Sequence, residues 1–126
     1  MTPMMRSAAL FSLSTALCLA NSWSGHLVDS KCYAAEERNV NPTDTEIYVD
    51  RDRNFEIHFC SPRPKTKSFA VVQSDGESIE LDSAGNAKAS EIVRNAGKRR
   101  PFAVAITGEM VGKAIKVDSI SETPRR

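Results

Sequence analysis

The alternation of apolar and polar positions divides the chain into short elements from Trp23 onward. Residues 23–29, with Trp23, Leu27 and Val28 among small polar residues, predict a short strand. Residues 34–38 predict a single helical turn, which Asn39, Asn41 and Pro42 then break. Residues 46–49 and 55–60 predict a β-hairpin joined by the polar tip at 50–54. In its second arm Phe55, Ile57 and Phe59 share one face, read as a core face, and Glu56, His58 and Cys60 share the other. Pro62 and Pro64 remove two backbone donors, so residues 61–67 predict a loop, made basic by Arg63, Lys65 and Lys67.

Residues 69–73 and 77–82 predict a second hairpin turning at 74–76, with Ile79 and Leu81 inward and Glu80 and Asp82 outward. Ala89, Ile92, Val93 and Ala96 then recur at helical spacing, after an N-cap candidate within 82–86 and before Gly97 as a stop signal. The uniformly apolar run at 102–107 predicts a strand buried on both faces, followed by a turn at 108–112. Residues 114–120 predict the last strand. Ile120 falls out of step with Ile115 and Val117, which reads as a bulge. With 30–67 set aside, the order is strand, strand, strand, helix, strand, strand. That is the order of a mainly β, OB-fold-like five-stranded barrel, with one helix between strands 3 and 4. The hairpin at 46–60 becomes an insert after strand 1.

The first residues follow a different rule. Arg6 is the only charge in the first twenty residues, and residues 7–20 form an apolar run of signal-peptide length, too short to span a bilayer. Residues 1–22 are therefore expected to be a signal peptide, cleaved after Ala20 or Ser22. The domain is expected at 23–121 and a flexible tail at 122–126. Cys18 as a lipidation site is disfavoured by Leu17, where a small residue is expected. The product is expected in the periplasm or outside the cell, with no transmembrane segment once the signal is removed.

Composition then narrows the partners. The full chain of 126 residues carries 17 Lys and Arg against 16 Asp and Glu, and removing Arg6 brings the two into balance. Such a balance gives no electrostatic reason for a nucleic-acid or anionic-membrane partner. Lys98, Arg99 and Arg100, together with Arg63, Lys65 and Lys67, are local basic clusters beside Phe55, Phe59 and Phe69 as stacking candidates. Export and the inward alternation expected of those rings argue against that use. At 40% hydrophobic and 26% charged residues, a disordered chain is excluded.

After export two cysteines remain, Cys32 and Cys60, and an even pair in an oxidising compartment predicts a disulfide. The alternative is a zinc or copper site built from His26, Cys32, His58 and Cys60, with His58 and Cys60 on one strand face. The spacings match no zinc-finger pattern.

Residues 25–32, reading Gly-His-Leu-Val-Asp-Ser-Lys-Cys, match a Gly-x-Leu/Val-x-Asp-x-x-Cys opening. The close combines Val104, Ile106 and Gly108 with Ile115, Val117 and Ile120. On these residues the chain resembles small exported bacterial domains of unknown function. Its closing half is similar to the periplasmic bacterial OB-fold family associated with stress responses. The resemblance implies a fold and a compartment, and no reaction. The chain departs from the commoner pattern in having only two cysteines after export.

No nucleophile elbow, phosphate loop, metalloprotease helix or dinucleotide fingerprint occurs. The expected function is therefore a non-catalytic binding module for a small ligand, glycan or protein, without a cofactor. Asp29, His26 and His58 are the candidate binding residues, with no catalytic residue assigned. A small hydrolase using Asp29 with a histidine is the second alternative, although capping the following turn explains Asp29 equally well.

Overall fold

A computed structural model describes residues 21–37, 46–96 and 101–123, with the backbone alone at 46–52. Five strands close into a ring in the order β1-β2-β3-β5-β4: β1 (Asn21–Asp29), β2 (Phe69–Val72), β3 (Ser78–Leu81), β4 (Phe102–Val111) and β5 (Ala114–Glu122). Neighbours run antiparallel except β3 and β5, which meet in parallel at Glu80–Ala114 and Leu81–Ile115. Among the described residues three helices accompany the ring: α1 (Ser30–Glu37), α2 (Glu46–Phe59) and α3 (Ser83–Ala96). The expected element order around the ring holds, including the helix between strands 3 and 4. Among the described residues no helix is long and apolar enough to cross a membrane. The apolar run at 7–20, the break at 39–42, Gly97, the basic cluster at 98–100 and the end of the tail lie outside the described residues.

The ring interior is aliphatic and aromatic. Leu27, Phe69, Val71, Leu81, Phe102, Val104, Ile106, Ile115 and Val117 form one buried cluster, closed by Ala89 and Val93 of α3. Asp82 caps that helix, its Oδ1 accepting the Gly85 N–H at 2.9 Å, and the same oxygen takes the Val117 N–H of β5 at 3.3 Å. Gly85 has no room for a side chain, since a Cβ there would lie 2.5 Å from the Val117 side chain. The expected N-cap and the stripe of Ala89, Ile92, Val93 and Ala96 therefore stand.

Three strand expectations need correction. β4 is buried on one face only: Phe102, Val104 and Ile106 point inward while Ala103 and Ala105 are partly or fully exposed. Alanine satisfies an apolar count without demanding burial. β4 also runs through Gly108 to Val111, so the turn falls at Gly112, whose φ of 64° is left-handed. β5 continues to Glu122, and the Thr123 N–H donates to the Ala103 carbonyl at 2.7 Å, so the first two residues of the expected tail are tied to the sheet. The bulge is real: Thr107 pairs with Ser119 and Gly108 with Val117, leaving Asp118 as the extra residue, and Ile120 regains contact with the core.

The stretches buried on both faces are the end of β1, at Leu27 and Val28, and all of β2. Leu27, Phe69 and Val71 face the ring interior, whereas Val28, Ala70 and Val72 face outward and are equally buried. Their outer cover is the insert, which is two helices and not a hairpin. Tyr33 of α1, Ile57 of α2 and Cys60 pack with Val28, Ala70 and Val72 in a second, smaller cluster. Residues 50–54 hold no glycine or proline to turn a hairpin, and α2 passes straight through them. Its inward stripe is Arg53, Glu56 and Ile57, continued by Cys60 just past its end, at i, i+3, i+4 and i+7. Two of those four are charged, so the helical period was masked by the alternation of Phe55, Ile57 and Phe59.

Candidate functional site

The insert is fastened to the ring at its start and its end. The Asp29 carboxylate caps α1 through Oδ1, which accepts the N–H groups of Lys31 at 3.0 Å and Cys32 at 3.2 Å. Its other oxygen accepts the Thr66 hydroxyl at 3.2 Å, and Thr66 Oγ1 accepts the Arg63 N–H at 3.0 Å. The Asp29 N–H donates to the Cys60 carbonyl at 2.8 Å, while Ser30 bonds Ser68 through both backbone and hydroxyl. The Cys32–Cys60 disulfide, with Cα atoms 5.6 Å apart, then joins α1 to the end of α2.

This geometry gives every fixed position of the sequence opening a structural task. At Gly25 a Cβ would lie 2.2 Å from the Val72 carbonyl oxygen, so only glycine lets β1 and β2 approach there. Leu27 is core, Asp29 is the helix cap, and Cys32 forms the disulfide. Asp29 thus commits both carboxylate oxygens to holding the loop, and the capping account of this residue is the one its contacts support.

α2 carries a wet outer face between two clefts. On one side a cleft of about 320 Å³ opens where β1 parts from β2, lined by His26, Arg53, Asn54, Ile57, Gln73 and Ser74 among others. Burial pushes the His26 imidazole below its usual 6.5, and the charge of His58 adds to the effect, so His26 is neutral at pH 7. Arg53 Nη1 donates to the Ser74 carbonyl at 3.2 Å, with its guanidinium lying against Gly76, whose φ is 92°. That contact clips α2 to the β2–β3 turn. On the other side of α2 a cleft of about 240 Å³ is lined by Asp29, Cys32, Phe59, Cys60, Ser61 and Arg63.

Between the clefts stand Phe55 and Phe59, one helical turn apart, their rings stacked with centroids 6.0 Å apart and planes 14° from parallel. They are 63% and 50% exposed, so of the face read as core only Ile57 is buried. His58 is exposed beside them, while Glu56 and Cys60, placed on the outer face by the strand reading, are buried. Sequence reasoning missed this pair because it assigned the wrong period. The signal was the i, i+4 spacing of the two phenylalanines.

Of the proposed metal set, Cys32 and Cys60 are bonded to one another, and His26 and His58 are close enough for their charges to interact. His58 and Cys60 do not share a strand face, because the segment is helical. Among the described residues no group of three His, Cys, Asp or Glu side chains is placed to hold a metal ion. Asp29 lines the disulfide cleft and His26 the other. Comparison with known protein families, curated proteins and solved structures found no match.

Proposed function

We propose that the chain is an exported, non-catalytic binding module built on an OB-type barrel, whose ligand docks on the outer face of α2. The Phe55–Phe59 pair carries this reading. Two adjacent phenyl rings kept in water, in a chain with few aromatics, sit on an element pinned by a disulfide and framed by two clefts. Phenyl faces beside Asn54, Gln73, Ser74 and uncharged His26, with the Arg53 guanidinium donating to the Ser74 carbonyl, suit a glycan or a protein segment. The ring order and the helix between β3 and β4 support the OB-type assignment. The disulfide supports an oxidising compartment. Asn21 and Ser22 pair with Gly108 and Thr107, which favours signal cleavage after Ala20 over cleavage after Ser22.

The test is a backbone amide NMR titration of the oxidised protein with soluble hexasaccharides of chitin, cellulose and starch type and a panel of unstructured peptides. The reading expects one class to shift the amides of Asn54, Phe55, His58 and Phe59, and Phe55→Ser/Phe59→Ser to abolish the response. Binding that survives the double substitution, or turnover of any panel member, contradicts it.

A further inference from the structure

A third cleft, of about 350 Å³, lies between α1 and the outer side of β2 and β3, away from the α2 face. Glu37 of α1 and Glu80 of β3 line it, both exposed to water, and no lining residue is basic. Ala34 and Ala70 supply apolar wall, and Ser78 adds a hydroxyl. Tyr33 also lines it. That residue is only 2% exposed, yet its hydroxyl makes no hydrogen bond among the described residues. A buried hydroxyl without a partner is costly, and such groups in native proteins call for an explanation.

We propose that this cleft binds a small organic cation through an ammonium or guanidinium group, held by Glu37 and Glu80 with the Tyr33 hydroxyl as an additional acceptor. An ammonium has three donors and no acceptor, which matches two carboxylates and a hydroxyl. The two alanines accommodate a short methylene stem. A divalent metal is a poorer match, since among the described residues no third carboxylate, histidine or cysteine completes a ligand set. The volume suits a group the size of a short diamine. Burial and the charges of Glu37 and Glu56 push the Tyr33 hydroxyl up to about 12, so it stays protonated at neutral pH. Arg53, whose charge also reaches Tyr33, lines the His26 cleft and donates to the Ser74 carbonyl.

The same chemistry arrives either as a free amine or as a lysine or arginine side chain. Isothermal titration of the full oxidised chain at low ionic strength, with putrescine, agmatine and blocked single-residue lysine and arginine amides, distinguishes the two. 1,4-Butanediol serves as the neutral control. The expected result is saturable 1:1 binding of at least one cation and none of the diol. Tight binding by putrescine or agmatine alone assigns a free amine, and equal binding by the blocked amides assigns a side chain. Glu37→Gln and Glu80→Gln should each weaken binding about tenfold, the loss expected for one charge-assisted hydrogen bond. Both residues are exposed, so these variants fold. Tyr33→Phe should weaken binding a few-fold while leaving the thermal midpoint unchanged or higher, because it removes an unsatisfied buried group. Absence of saturable binding by any cation, or undiminished binding by the Glu37→Gln/Glu80→Gln variant, overturns the proposal.

Discussion

The two buried clusters on either side of β1 and β2 are held by different physics. The ring interior is a continuous set of aliphatic and phenyl side chains, with α3 as its lid. The outer cluster under α1 and α2 is small, and the residues around it include buried Ser30, Glu56, Ser61 and Thr66. Burial of apolar surface sustains the first. A disulfide, a helix cap and a handful of specific hydrogen bonds sustain the second. Three clefts adjoin the insert, as do the exposed phenyl rings, whereas a fourth of about 260 Å³, lined by Asp82, Val111, Ala114 and Lys116, lies on the ring. A scaffold that folds on its own core is free to carry polar and exposed groups on an element tied down covalently.

Substitutions can break that contrast at either end. The largest effect is expected inside the ring. Phe102→Ala, at a fully buried position, should cost about 3–5 kcal/mol and unfold ring and insert together, read by chemical denaturation with far-ultraviolet circular dichroism. Removing the cross-link by Cys32→Ser/Cys60→Ser should destabilise the insert by about 3–4 kcal/mol, the chain-entropy value for a loop of this length, read from amide exchange in α1 and α2. The separation is 28 residues. Denaturant unfolding monitored at Trp23, a residue packed against the ring cluster, should retain a cooperative transition in that variant. Asp29→Ala removes the α1 cap and the Thr66 acceptor and should cost about 1–2 kcal/mol. If it costs nothing, the pinning account of the opening motif is wrong.

The smallest effect is a pH dependence confined to the insert margin. In the folded chain His26 titrates below 6.5, whereas in the unfolded chain it titrates near that value. Above 6.5 both states are neutral and His26 contributes no slope. As the pH falls below 6.5 the unfolded state takes up the proton first, and stability declines until the folded imidazole also titrates. His26→Asn should flatten this part of the stability profile, as measured by thermal midpoints between pH 7.5 and 5. An unchanged slope would mean that His26 is not desolvated.

The ring was legible because its apolar positions follow one rule at a time. Ile79 and Leu81 alternate, Ala89, Ile92, Val93 and Ala96 repeat as a helix, and the misfit of Ile120 announced the bulge at Asp118. The insert was misread because its helix buries Glu56 beside Ile57 and leaves Phe55 and Phe59 in water. Hydrophobic patterning assumes that phenyl rings go inside and carboxylates outside, and a helix that buries a carboxylate and exposes two phenyl rings violates both assumptions. The two cysteines were the sounder guide, since a covalent bond leaves its mark in composition whatever the secondary structure. The α1 cleft left no trace in the sequence, because Tyr33, Glu37 and Glu80 meet only once β3 has folded beside α1.

Residue-resolved amide hydrogen exchange, before and after reduction of the Cys32–Cys60 disulfide, tests the two-part account most directly. The account predicts that reduction strips protection from α1 and α2 while amides of β4, β5 and α3 exchange at nearly unchanged rates. Uniform loss of protection across ring and insert, or none anywhere, would contradict it.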